Sequence, residues 1–459
     1  KNTPIMFAVV CTAIVATIPF VIYFTYGRLR RDRWAIIRTH PLPAVRKVYQ
    51  HAAVYRFARR IDRIAASLPV PVDVSGETAC ACTCTSTGNN SSPLDGECEC
   101  DDDEVGTLAA VREALHEILS DEDCPDTFQR KESNVIQVER LAACVCRLVV
   151  AGSSTKSLSI VNDDGSSRES SSKSESTVQP TPLVLDVGAG KALLTRTVYE
   201  ALGRRVPCVA FDRRRDRNDI DRFYDPPAAV NTNSSTGMAD TCTASTENGA
   251  GDAAEAPYTR LVGDVARLSS SKTLRPLQCS KGGGMVAITK HLCGGATDSS
   301  LMALCRAPLS DYVGMACLAP CCHQKTRRDQ YCNVPYLESL GLCRQQHVGL
   351  RGDKLHDNDW RTLGRIISIS RHGAKTLNAY HKDYKHSVLL RVLGFDRTCD
   401  LGRKARRILE EGRADYLRRH GGFDVTVGRY CDESVTGDNL VLLASKERNM
   451  QKHTTKERL

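Results

Sequence analysis

Apolar and polar residues alternate along this chain in two registers. Residues 104–119 and 134–150 place aliphatic side chains every three or four positions (Leu108, Val111, Leu115, Leu119; Val135, Val138, Leu141, Cys144), the period of a helix with one buried face. Five short apolar runs, 183–187, 207–211, 259–263, 284–289 and 312–318, are separated mostly by helical stretches. Strands alternating with helices predict a parallel sheet. The last two runs, 423–430 and 439–445, are joined through a Gly437-Asp438 turn, as in a hairpin. The expected fold is therefore α/β, with a mostly parallel sheet and an antiparallel terminal strand.

The flanking segments read differently. Residues 5–27 carry no charge and are long enough to span a bilayer. Arg28, Arg30, Arg31 and Arg33 follow, and the positive-inside rule keeps such a cluster in the cytosol. Residues 28–68 are basic and read as helical up to Pro69. Residues 69–103 are polar and turn-rich; Cys80, Cys82, Cys84, Cys98 and Cys100 lie there without the two-residue gaps usual in zinc sites, so the stretch reads as a linker. A Ser-rich insertion at 152–179 and an Ala/Thr/Ser/Gly-rich one at 228–256 are too polar to fold alone and read as disordered. The expected organisation is a transmembrane helix and basic juxtamembrane helix over 1–60, a linker with a short helix over 61–130, a catalytic domain over 131–446 and a basic tail over 447–459. That arrangement places the catalytic domain in the cytosol, or in the nucleus if the apolar segment is not part of the mature protein.

Composition narrows the class. A hydrophobic fraction of 41% over 459 residues suits a folded part diluted by polar linkers. Many of the 21 cysteines, Cys144, Cys146, Cys208 and Cys317 among them, sit in apolar segments, which favours buried thiols in a reducing compartment over a disulfide framework. A net charge of +9 permits an acidic partner such as RNA.

Candidate chemistry gathers at the strand ends, where doubly wound sheets bind their ligands. The first strand of the αβ series runs into Asp186-Val-Gly188-Ala-Gly190, and the third position of a dinucleotide loop is Leu193 rather than glycine. An acidic residue before G-x-G without a phosphate cradle suits a ligand with an amino group, such as S-adenosylmethionine. Asp212 and Asp264 end the next two strands, where they are placed to meet ribose hydroxyls and an adenine amino group. The whole is the arrangement of the Rossmann-like class I methyltransferases. The strand at 284–289 stops on Lys290 and His291, two candidate bases, and then enters a Cys293-Gly-Gly turn. Asp298 either orients one of them or caps the following helix.

Longer blocks carry a family resemblance: Gln137 and its helix, LDVGAGKALL (185–194), FDRRRDRNDID (211–221), KHLCGGATD (290–298), APCCHQ (319–324), YCNVPYLESLGL (331–342), LGRKARRILEEGRADYLRRHGGF (401–423) and GDNLVLLAS (437–445). Over residues 131–446 the chain resembles the eukaryotic tRNA ribose 2′-O-methyltransferases that modify nucleotide 4 of the acceptor stem. The resemblance implies S-adenosylmethionine as methyl donor and tRNA as partner, with no role for DNA. The strand-end residues remain the candidates: Lys290 and His291, without a choice between them, and Asp298 for catalysis, and Asp186, Gly188, Gly190, Asp212 and Asp264 for the cofactor pocket. Cys321, Cys322 and His323 read as a wall of the substrate pocket rather than a metal site. Arg403, Lys404, Arg407 and Arg413 read as phosphate contacts on a basic helix, against the alternative of a solvated face balanced by Glu410, Glu411 and Asp415. Two departures stand out. Gln324 replaces the second histidine of the family's Cys-Cys-His-His, and the family's N-terminal zinc-finger modules have no counterpart, so zinc is not expected. The competing readings are an inactive tRNA-binding relative and a membrane-anchored methyltransferase with a non-RNA substrate.

Overall fold

The computed structural model describes residues 43–75, 101–120, 132–153, 181–213, 230–231, 257–270, 284–290, 292–343, 358–371 and 388–446. Residues 5–27, the cysteine series 80–100, most of both insertions and the tail 447–459 lie outside them. Among the described residues no helix is long and apolar enough to cross a membrane.

In chain order the elements are α1 (Pro43–Ser67), β1 (Val72–Asp73), α2 (Asp101–Ser120), α3 (Glu132–Ser153), β2 (Leu183–Val187), α4 (Leu193–Ala201), β3 (Cys208–Asp212), β4 (Val230–Asn231) and β5 (Tyr258–Val262). There follow β6 (Met285–Thr289), α5 (Gly295–Leu304), β7 (Val313–Leu318), α6 (Val334–Ser339), α7 (Asn358–Arg371), α8 (Val388–Leu393), α9 (Phe395–Tyr416), β8 (Asp424–Arg429) and β9 (Leu440–Ser445). The apolar runs expected as strands thus form strands within a residue or two of their predicted bounds. Two were not expected. Val72–Asp73 adds to the sheet edge beside β8, and Val230–Asn231, inside the second insertion, pairs with β5.

The nine strands form one sheet in the order β1-β8-β9-β7-β6-β2-β3-β5-β4. All neighbours are parallel except β9, which runs antiparallel to both β7 and β8. The chain reverses between β3 and β6, which flank the central β2, so β2 stands at the switch point where ligands bind in such sheets. Side chains alternate across the strands. Val184, Ala210, Val286 and Ile288 pack beneath α2, α3 and α4, through Val111, Leu115, Val138 and Leu141. Leu185, Val187, Phe211 and Ala287 face the other way, against Leu301 and Leu304 of α5 and Ala414 at the end of α9.

The chain divides into two compact units, and the division differs from the expected one. The sheet unit comprises Leu68–Asn333 and Arg406–Leu459. It takes in α2, which the sequence assigns to a linker, because α2 supplies Val111, Leu115 and Ile118 to the sheet's core. The helical unit comprises Lys1–Ser67 and Val334–Ala405. In it, Phe57, Ile61, Leu337, Trp360, Leu363 and Ile366 are buried, and Arg60 pairs with Asp359 at 3.4 Å. The boundary falls inside α9, so the basic helix belongs partly to each unit.

Candidate active site

Strand β2 delivers Asp186 and then turns through Gly188 (φ 76°) and Gly190 (φ 55°), left-handed conformations that disfavour any side chain. The turn is held from three sides. The Gly188 and Ala189 N–H groups donate to the Phe211 carbonyl at 2.7 and 3.0 Å. The Gly190 N–H donates to Asp212 Oδ2 at 3.0 Å. Buried Arg260 on β5 donates to the Gly190 carbonyl at 2.5 Å. A side chain at Gly188 would also collide with Leu292, its Cβ lying 2.2 Å from Leu292 Cδ1. A Gly188→Ala substitution therefore destabilises the fold. The left-handed backbone alone costs about 1–2 kcal/mol, and the collision adds to it. A lowered urea midpoint with an unchanged m-value is the expected measurement; an unchanged midpoint would refute it.

The three carboxylates have different roles. Asp186 is buried, and Thr195 Oγ1 donates to its Oδ2 at 2.6 Å, while its Oδ1 has no hydrogen-bond partner among the described residues. Burial pushes its carboxyl up to about 7, against the pull of Thr195 and Arg260. Asp212 shapes the glycine turn. Asp264 is exposed and caps the short 3-10 helix Val265–Arg267, accepting from the Ala266 N–H at 2.9 Å. An orphaned carboxylate oxygen beside a glycine turn whose Gly190 position faces open space fits a ligand carrying donors. S-adenosylmethionine, the methyl donor that the resemblance implies, meets that description.

Lys290 follows β6 directly and is buried. Its Nζ reaches the Asn134 carbonyl of α3 at 3.5 Å. Burial pulls its ammonium down to about 8, opposed by Cys321, Cys431 and Asp186. A lysine and a carboxyl of neighbouring strands thus both titrate near neutrality, a pattern that marks functional sites. His291 lies outside the described residues.

Three sequence-based assignments need correction. Asp298 does not cap α5, and among the described residues its carboxylate is engaged by Arg413 rather than by Lys290. The helix α5 begins at Gly295, behind an N-cap at Gly294, and buried Asp298 takes a two-pronged ion pair from Arg413, with Nε at 3.1 Å and Nη2 at 2.8 Å. Arg413 is therefore not a phosphate contact: it is buried and also donates to Glu410 Oε1 at 2.6 Å. His323 lines no open wall, because it is buried with its Nε2 on Glu410 Oε1.

The other basic residues of α9 are partly engaged as well. Lys404 pairs with Asp62 at 2.9 Å and Asp400 at 2.8 Å, and Arg407 donates to the Leu68 and Pro69 carbonyls. Arg403 stays exposed. The helix is thus a structural strut along one face and a charged surface along another.

Cys321 and Cys322 meet Cys293, which reads in the sequence as a turn residue. The three sulfur atoms lie within 4.8 Å of one another, a group able to hold a metal ion. Nothing in the spacing of 293 and 321–322 signals this, because the meeting depends on the pairing of β6 with β7. Arg260 and Asn134 also escaped the sequence reading. The one signal for Arg260 was a lone arginine inside an apolar strand.

Residues 165–445 match the family model described as Methyltransferase TRM13. This chain belongs to that family. Curated relatives named tRNA:m(4)X modification enzyme TRM13 include those of Kluyveromyces lactis, 31% identical over 170 residues, Scheffersomyces stipitis, 29% over 189, and Vanderwaltozyma polyspora, 27% over 165. These alignments cover 35, 40 and 35% of this chain and 36, 42 and 36% of the respective relatives. The chain thus spans well under half the length of the relatives it matches.

Proposed function

We propose that this methyltransferase uses S-adenosylmethionine to methylate the ribose 2′-hydroxyl of nucleotide 4 in the acceptor stem of tRNA. The observation that carries this reading is the placement of a buried, low-pKa lysine at the end of β6, beside the glycine turn of β2. The names of the relatives support tRNA as the substrate. The net charge of +9 suits a phosphate backbone.

S-adenosylmethionine supplies a methyl group activated by a sulfonium. The chain's own residues have three tasks. Gly188 and Gly190 let the backbone approach the cofactor, with Asp212 and Arg260 fixing the turn. Asp186 offers its second oxygen to a donor. Lys290, neutral above about pH 8, accepts the hydroxyl proton as the ribose oxygen attacks. Because attacking oxygen, methyl carbon and leaving sulfur must lie in line, much of the rate comes from positioning. Double-stranded RNA displays its 2′-hydroxyls in a wide minor groove, so such a target needs no base flipping.

The test is incubation of the full chain with unmodified tRNA and S-adenosylmethionine, followed by mapping of ribose methylation by resistance to alkaline cleavage. Methylation at nucleotide 4 is expected. Cofactor binding without transfer would favour an inactive tRNA-binding relative, and a methyl group on a base would overturn the 2′-O assignment.

A further inference from the structure

We infer that Cys293, Cys321 and Cys322 form a zinc site at the carboxyl ends of β6 and β7. The two strands lie side by side and parallel, and their pairing reappears past the strand ends as a parallel bridge between Cys293 and Cys321. The Gly294 N–H donates to the Cys321 carbonyl at 3.4 Å. The loops after β6 and β7 are therefore held together before any ion is considered.

Two unusual backbone conformations then converge the sulfurs. Adjacent residues of an extended chain point to opposite sides, which argues against Cys321 and Cys322 sharing a ligand. Cys322, however, adopts a left-handed conformation (φ 54°, ψ 38°), unfavourable for a residue with a Cβ, and this turns its side chain towards that of Cys321. Gly294 adopts φ 62°, ψ −134°, a region open essentially to glycine, and brings Cys293 round to meet them. A Cβ at Gly294 would also lie only 3.0 Å from Lys325 Cβ and 3.1 Å from its backbone carbon, a tight fit.

The resulting distances suit an ion. Cys293 Sγ is 3.5 Å from both Cys321 Sγ and Cys322 Sγ. Zinc–thiolate bonds of about 2.3 Å in a tetrahedron place neighbouring sulfurs about 3.8 Å apart. A disulfide would need roughly 2.05 Å, and all three thiols are free. An all-sulfur donor set selects zinc over magnesium or calcium, which take oxygen ligands. Three thiolates on a divalent ion leave one negative charge, and Lys325 lies on the same loop as Cys322 to offset it. The group counts three donors among the described residues, and Cys293 is exposed. With Cys293 exposed, water completes the tetrahedron. Such an ion ties together the two loops that follow β6 and β7, and so steadies the strand end that carries Lys290.

The test uses Co(II) and Zn(II) with the full chain, reduced and washed free of metal by a chelator. One equivalent of Co(II) should bind with a thiolate charge-transfer band and the intense visible bands of a tetrahedral site, and Zn(II) should displace it. Cys293→Ser, at an exposed position, should keep the wild-type circular dichroism and weaken the metal beyond the roughly 100-fold that loss of an outer-shell partner costs. Cys322→Ser should do likewise. A variant with Cys80, Cys82, Cys84, Cys98 and Cys100 all changed to serine should keep the signal. The assignment is overturned if Co(II) is not taken up, if Cys293→Ser titrates like wild type, or if the signal disappears with the five-serine variant.

Discussion

A Lys290→Arg variant should bind S-adenosylmethionine normally and transfer its methyl group about 10²–10⁴-fold more slowly than wild type. The wild-type lysine is buried at the end of β6, and burial pulls its ammonium down to about 8. A base must be neutral to accept a proton, so the wild-type transfer rate should rise with pH and level off above about 8. The sign is set by the direction of the shift: a lysine at its ordinary value near 10.5 would keep the rate climbing well beyond pH 9. Arginine stays protonated throughout this range and preserves only the positive charge. General-base catalysis contributes about 10²–10⁴-fold, and a loss of that size is expected. Lys290→Met, which removes the charge with little change in volume, should lose at least as much. If the arginine variant keeps a rate within about tenfold of wild type with a flat pH profile, Lys290 acts through its charge and another group takes the proton. Cofactor affinity, measured in parallel by calorimetry, separates loss of chemistry from loss of the pocket.

How much of this was legible beforehand depended on which physical signal each feature leaves in one dimension. The central strands were legible because parallel strands buried on both faces become continuous apolar runs; LVLDV and MVAIT are such runs. The glycine turn was legible because only glycine enters left-handed backbone freely. Val72–Asp73 and Val230–Asn231 were not, because two residues carry no periodicity. The distinction among the arginines of α9 was harder, yet a trace existed. Arg406, Glu410, Arg413 and Leu417 follow one another at spacings of four, three and four, so they share one face of the helix. Opposite charges interleaved with that apolar face (Leu409, Ala414, Leu417) indicate buried ion pairs rather than a solvated surface. Of the thiol cluster only the adjacent Cys321 and Cys322 are visible in the sequence, where they read as a pocket wall; their meeting with Cys293 left no trace. It arises from strand adjacency and from one left-handed cysteine, and neither is written in spacing. The same holds for Asp298: the sequence marks a carboxylate near a helix start, while its partner lies 115 residues away.

That partner provides the second large effect. Arg413→Met should unfold or severely destabilise the sheet unit rather than weaken RNA binding selectively. In the wild type the guanidinium bridges Asp298 and Glu410, and its face lies over the Tyr331 ring, 5.7 Å from the centroid. Burial works against its charge, and the two carboxylates more than offset this, holding it well above its ordinary value. Burial likewise opposes ionisation of Glu410, but Arg413 and His323 prevail and hold it below the usual carboxylate range. Removing one partner of a buried pair leaves the other charge uncompensated, at a cost of about 3–5 kcal/mol. The pH dependence should then reverse. In the wild type, the depressed Glu410 contributes stability that is present above its ordinary value of 4.5 and is lost as pH falls below it. In Arg413→Met the stranded Glu410 carboxyl, buried without its main counter-charge, is better off protonated, so stability should rise as pH falls from 7 towards 5. Urea unfolding at several pH values reads both slopes. The double variant Asp298→Leu/Arg413→Met, which removes the ion pair as a unit, should recover part of the loss. Arg403→Ala, at an exposed position of the same helix, should leave stability within about 0.5 kcal/mol of wild type. If Arg413→Met instead keeps the wild-type midpoint and loses tRNA affinity with a shallower salt dependence, its guanidinium reaches phosphate after all, and the buried network is not its working state.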